Sequence, residues 1–224
     1  MRLLTPIRPL HALAVGGAVL ALSLPAAAQT PSRSASSASA SARRDTAVFA
    51  GGCFWGIEAV YRHTRGVISA VSGYSGGDAR TAQYETVSDG NTGHAESVRV
   101  IFDPTQVTYA QLLTILFTVA HDPTELNRQG PDVGTQYRSS VFYLNDEQRR
   151  VTEGYIAQLA AQKAFARPIV TRVVALKAFY AAEAYHQDYA ARHPNEPYIR
   201  FNDAPKVVHL KERMPELYRE NGGA

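Results

Sequence analysis

Short apolar stretches separated by polar, glycine- and proline-bearing segments set the rhythm of this chain from residue 45 onward. Residues 45–50 (DTAVFA) read as an apolar strand. Beyond Cys53, the residues Ile57, Val60 and Tyr61 recur at helical spacing. Residues 67–74 alternate apolar and small side chains and run into Ser75-Gly76-Gly77, a strand followed by a turn. A polar, glycine-containing loop at 78–93 leads to residues 94–102 (HAESVRVIF). There Ala95, Ser97 or Val98, Val100 and Phe102 suit a central strand, and Asp103-Pro104 stops it. Thr108 reads as the N-cap of a helix over 109–120, whose apolar face is Leu112, Leu113, Leu116 and Val119. A strand is expected at 137–144. Asn145 then caps a helix over 146–163, with Asp146 and Glu147 placed favourably for the helix dipole. The β-branched residues 169–176 read as a strand, and 181–192 as the final helix, ending before Pro194. This order of elements predicts an α+β sandwich of a sheet and helices. The loop at 121–134 is long for a compact domain and too varied for low complexity, which suggests a segment lining a site.

The first 28 residues have the pattern of a secretory signal. Arg2 and Arg8 give a positive start, residues 10–24 form an apolar core short for a membrane span, and Ala26-Ala27-Ala28 offers a cleavage site. An uncleaved anchor is the alternative. Residues 29–44 are rich in Ser and Ala with no apolar periodicity and read as a disordered linker, so the folded domain is expected over 45–224. Export to the bacterial periplasm follows as the expected location. The formal net charge of +3 includes two positive charges from the signal, leaving +1 after cleavage. With no basic cluster elsewhere, nucleic acid is not an expected partner. A monomer without stable membrane contact after cleavage is expected.

Cys53 is the sole cysteine. It sits in AGGCFWG, at the junction of a strand and a helix. Free N–H groups and the positive end of the dipole there favour the thiolate, the nucleophilic form. A lone cysteine is often just a small buried hydrophobe. The paired glycines, the cap position and the two following aromatics favour reactivity instead. Acyl transfer needs a base, and none of His63, His94, His121, His186 or His193 has a setting that singles it out. One Cys and scattered His have no zinc spacing. Redox chemistry at sulfur remains, in which the thiolate attacks an electrophilic heteroatom and becomes a sulfenic acid. That reaction needs a proton donor, because an oxygen must leave. Glu96, inside an otherwise apolar strand, is the candidate, since burial can keep a carboxyl protonated near neutrality. An outward-facing strand position is equally consistent with the pattern. Phe54 and Trp55 can supply an apolar pocket for a thioether derivative.

GGCFWGIE, SGYSGG, TAQYETVSDGNTGHAESVRVIFDP, HDPTELNRQGPDVGTQYRSSVF and AEAYHQDY together resemble the A-type peptide methionine sulfoxide reductases, over nearly all of residues 46–189. The resemblance implies that Cys53 attacks the sulfoxide sulfur, that Phe54 and Trp55 hold the substrate methyl group, and that Glu96 protonates the oxygen. It further implies that Tyr84 and Tyr137 donate hydrogen bonds to that oxygen and that Asp132 holds a polar group or water, with His186 and Tyr189 at outer positions. Taken singly, these tyrosines would be half-buried core residues and His186 a solvated helix position. Expected substrates are the S epimer of methionine sulfoxide, free or in oxidised proteins. The expected fold is a mixed sheet flanked by helices around a ferredoxin-like α/β sandwich core. No bound cofactor or metal is expected.

Many members carry further cysteines near the C-terminus that resolve the sulfenic acid, whereas this chain ends in a PYI…DAPK…LK segment without one. Recycling therefore calls for an external thiol of the thioredoxin, glutaredoxin or glutathione type. A module that captures oxidised methionine without turnover, and a thiol peroxidase, are the competing readings.

Overall fold

The computed structural model describes residues 43–223, so the expected signal and most of the expected linker lie outside the described residues. In chain order the elements are β1 (Asp45–Ala50), α1 (Phe54–Arg62), β2 (Val67–Ser75), α2 (Tyr84–Ser88), β3 (Ala95–Phe102) and α3 (Tyr109–Ile115). They continue with β4 (Arg128–Gln129), β5 (Asp132–Val133), β6 (Ser140–Tyr143), α4 (Asp146–Ala161), β7 (Arg172–Ala175) and β8 (Phe179–Ala181). The short α5 (Tyr189–Arg192) and α6 (Ala204–Arg213) follow.

The main sheet has the order β7-β6-β1-β3-β2-β8. Only β6 and β7 run parallel, and the crossover a parallel pair requires is α4; the other neighbours are antiparallel. The middle strands, with α1 between β1 and β2 and α3 between β3 and β6, make the βαββαβ unit of a ferredoxin-like sandwich. Side chains of β1 alternate, as a strand demands. Ala47 and Phe49 join the large core with Ile57, Val60 and Tyr61 of α1 and Leu112 and Leu113 of α3. Val48 and Ala50 face a smaller apolar cluster with Ala95 and Phe142. The Tyr61 hydroxyl donates to the Leu112 carbonyl (3.0 Å), which ties the two helices beneath the sheet.

Helix starts follow their sequence signals. Thr108 and Gln111 exchange bonds as a capping box, and Asn145 accepts from the Gln148 N–H. The helix expected over 109–120 is α3 with its last turn widened into a π-turn at Leu116–Ala120. The expected loop at 78–93 contains α2, and that at 121–134 contains the β4–β5 hairpin. The strand expected at 137–144 begins only at Ser140, because Tyr137 ends a 3₁₀ turn.

Of the expected final helix over 181–192 only the last turn forms, as α5. Ala181 belongs to β8, Ala184–His186 is a 3₁₀ turn, and Asp188 is left-handed at φ 56°. Helical propensity loses here to tertiary hydrogen bonds. The Gln187 side chain pairs with both the N–H and the carbonyl of Ser72, at 3.0 Å each, and Glu58 accepts the Asp188 N–H. The last helix is instead α6, with Pro205 in its first turn and Leu210 fully buried.

Candidate active site

The chain reaches Cys53 through Gly52, whose φ of +99° suits glycine. A Cβ there would also lie 2.6 Å from the Gln129 side chain. Cys53 is the N-cap of α1 and only 7 % exposed. The Cys53 side chain makes no capping hydrogen bond, but the Trp55 N–H, free because it begins the helix, favours the thiolate. The helix terminus therefore acts as the sequence suggested, but it does not decide the resting state. Burial pushes the thiol well above its usual range, and the Glu96 and Asp203 carboxyls push it further. This corrects the expectation that position alone favours the thiolate: Cys53 rests as a thiol.

Glu96 lies on β3 opposite Tyr74 and is 3 % exposed, so it points inward. The Phe54 N–H donates to its Oε2 at 3.0 Å. The helix start that carries the thiol thus also holds the carboxyl. Burial raises the Glu96 pKa to about 8 despite the Phe54 bond, with Asp132 and Asp203 adding to the rise. At neutrality the group holds a proton.

Aromatic rings wall this pair. Phe54 lies 5.0 Å from the His186 ring and 6.3 Å from Trp55. Tyr189 stacks on Trp55 at 3.8 Å. The indole N–H of Trp55 donates to His186 Nδ1 (3.2 Å). An indole cannot accept, so neutral His186 carries its proton on Nε2; burial depresses its pKa. His186 is 1 % exposed, not a solvated helix position. Tyr84 packs on the His186 ring at 4.5 Å.

Opposite stand Tyr137 and Asp132. Burial raises the Tyr137 phenol, and Glu96, Asp132, Cys53 and Tyr84 all contribute, which places it among these groups. The Tyr198 hydroxyl donates to Asp132 Oδ2 (2.5 Å). The structure thus gathers Cys53, Phe54, Trp55, Tyr84, Glu96, Asp132, Tyr137, His186 and Tyr189 in one region. Among the described residues, no group of His, Cys, Asp and Glu side chains is arranged to hold a metal ion.

Several neighbours escaped the sequence reading. Tyr198, Asp203 and Lys206 come from the PYI…DAPK segment, which had been considered only for the cysteines it lacks. Glu183 accepts from the Tyr74 hydroxyl and the Tyr84 N–H, both at 2.9 Å, and so sets the start of α2. Glu58 and Arg138 are structural. Glu58 accepts from Ser72 and Asp188, and Arg138 donates to the carbonyls of Gly93, His94 and Thr135.

Comparison with known proteins places this geometry. A family model described as peptide methionine sulfoxide reductase matches residues 45–217. The chain is 55 % identical, over 176 residues, to peptide methionine sulfoxide reductase MsrA 2 of Mesorhizobium japonicum, covering 79 % of this chain and 90 % of that protein. Among solved structures, Mxr1 of Saccharomyces cerevisiae in reduced form superposes with a TM-score of 0.64 at 32 % identity, covering 70 % of this chain and 89 % of the other. Methionine sulfoxide reductase A of Corynebacterium diphtheriae gives a TM-score of 0.58 at 35 % identity, covering 67 % and 76 %. The chain belongs to the peptide methionine sulfoxide reductase family.

Proposed function

We propose that this chain reduces the S epimer of methionine sulfoxide, free or in oxidised proteins, with Cys53 as nucleophile and Glu96 as proton donor. The observation that carries this reading is the shared helix start, where Cys53 stands as the N-cap and the adjacent Phe54 N–H holds the buried Glu96 carboxyl. Cys53 sulfur attacks the sulfoxide sulfur while Glu96 gives its proton to the oxygen, and the thiol proton restores Glu96. The new bond between the two sulfurs and the substrate S–O bond then break as the hydroxyl passes to Cys53, which becomes a sulfenic acid, and methionine leaves. Methionine sulfur gains two electrons and Cys53 sulfur loses two. Phe54 and Trp55 seat the methyl group, Tyr84 and Tyr137 donate to the oxygen, and Asp132, held by Tyr198, orients a polar group. His186 and Tyr189 fix the Trp55 ring.

With one cysteine in the chain, return to the thiol requires outside thiols, and a dithiol protein of the thioredoxin or glutaredoxin type, or glutathione, supplies them. Two thiols deliver two electrons, leave as a disulfide, and the oxygen leaves as water. Export is part of the proposal, supported by the N-terminal pattern of charge and hydropathy; N-terminal sequencing of the mature protein from a periplasmic extract tests it, and a start at Met1 overturns it.

One equivalent of methionine S-sulfoxide, offered without reductant, tests the chemistry. About one equivalent of methionine per chain should appear, with a dimedone adduct on Cys53, and Cys53→Ser should give neither. Binding without methionine release would make the protein a capture module instead.

A further inference from the structure

The C-terminal segment brings a buried ion pair against the first turn of α1. Asp203 is fully buried, and Lys206 Nζ lies 3.1 Å from its Oδ1. Both heads occupy the space that any side chain at position 56 would need. A Cβ on Gly56 would overlap Asp203 Oδ1 and lie 2.7 Å from Lys206 Nζ. Gly56 follows Cys53 by three residues, so the pair packs on the same helical turn that carries the thiol. Asp203 Oδ2 is buried without a hydrogen-bond partner. The Lys206 ion pair offsets part of the cost of burying Asp203, and among the described residues the unpartnered Oδ2 leaves the rest of that cost uncompensated.

We propose that the buried Asp203–Lys206 pair, packed on the turn of α1 that starts at Cys53, is a positioning element whose two opposite charges govern the reactivity of Cys53. The other groups facing Cys53 are Glu96 from β3 and the phenols of Tyr84, Tyr137, Tyr189 and Tyr198. Lys206 is the cation that opposes burial and the carboxyls at this sulfur, and it also lowers the pKa of Asp132 and of Asp203. The sequence PYI…DAPK thus provides, without any thiol, the balance of charge beside the nucleophile.

The inference rests on Cys53 being the reactive group, but its test reads the thiol directly and does not depend on turnover. The pH dependence of Cys53 alkylation by iodoacetamide is measured in the full protein, without substrate or reductant. Lys206 is the weakest of the influences on the sulfur, so the expected shift is about one pH unit, the low end for a neighbouring opposite charge. Lys206→Met should therefore move the midpoint of alkylation upward and slow the reaction about tenfold at neutral pH. Asp203→Asn should move it downward and accelerate the reaction. Lys206→Arg should restore the wild-type profile. A purely structural pair would make both changes act in the same direction, or move neither midpoint, and either result overturns the proposal. If Lys206→Met does not fold, the isosteric Asp203→Asn decides alone, since failure to accelerate alkylation contradicts the assignment.

Discussion

Replacing Glu96 by Gln should slow methionine release strongly and strengthen the fold, a pairing that few explanations other than a buried neutral acid produce. The glutamine carbonyl can still accept the Phe54 N–H that Glu96 now takes at 3.0 Å, so the start of α1 survives. What disappears is a carboxyl raised from 4.5 to about 8. The folded chain binds this proton more tightly than the unfolded chain does. The resulting stabilisation is whole below pH 4.5, shrinks as pH rises, and is gone above about 8. At 1.36 kcal/mol per pH unit that window amounts to roughly 5 kcal/mol. Urea unfolding near pH 5 and near pH 9 reads it, and wild type should lose roughly 3–5 kcal/mol more than Glu96→Gln between the two conditions. In the single-turnover assay the variant should release methionine about 10²–10⁴-fold more slowly. The wild-type proton-donor step should decline above pH 8, where Glu96 ionises. Parallel stability curves for the two proteins, or methionine release by the variant at the wild-type rate, would refute the assignment.

Glu183→Ala should slow methionine release several-fold while leaving the rate of Cys53 alkylation unchanged, because Glu183 holds the Tyr84 N–H and the Tyr74 hydroxyl and does not touch the sulfur; equal effects on both rates would count against it. Leu210→Ala should cost about 2–5 kcal/mol in urea unfolding, since Leu210 is fully buried in the core that joins α6 to α1; a loss below about 1 kcal/mol would mean that α6 is not anchored there. Peroxide should form the Cys53 sulfenic acid more slowly than methionine S-sulfoxide does, as trapping with dimedone over time would reveal; the reverse ranking would favour a thiol peroxidase.

Elements whose stability is local were legible in the sequence. The capped helices α3 and α4 start where Thr108 and Asn145 place them, and β1 and α1 follow from period alone. The failures share a cause. Residues 181–192 are good helix formers, yet Gln187, Asp188 and Ala182 find partners on Ser72 and Glu58, far away in sequence. Such partners leave no periodic trace. Burial of Glu96 was undecidable from an alternating strand, because a carboxyl at an inward position looks like an error in the pattern until its Phe54 partner is known. Asp203 and Lys206 carried a weak signal that was passed over. An acid just before Ala-Pro at a helix start, followed by Lys, is a recognisable cap region, but nothing in it announces proximity to residue 53.

The resting thiol makes the site's logic clearer than a resting thiolate would. An exposed, deprotonated cysteine reacts with any small oxidant it meets, and one without a partner cysteine has no internal route back. Burial and the carboxyls beside Cys53 withhold that reactivity. Under the proposed mechanism a sulfoxide brings a methyl group to fill the Phe54–Trp55 wall and an oxygen more basic than a peroxide's to take the Glu96 proton. Once Glu96 gives that proton up, it becomes the acceptor for the thiol proton, and attack and protonation proceed together. Selectivity then follows from the requirement that the two raised pKa values be discharged in one step. A ligand that can accept the proton and present an electrophilic sulfur satisfies it, and an oxidant that only presents an electrophile does not.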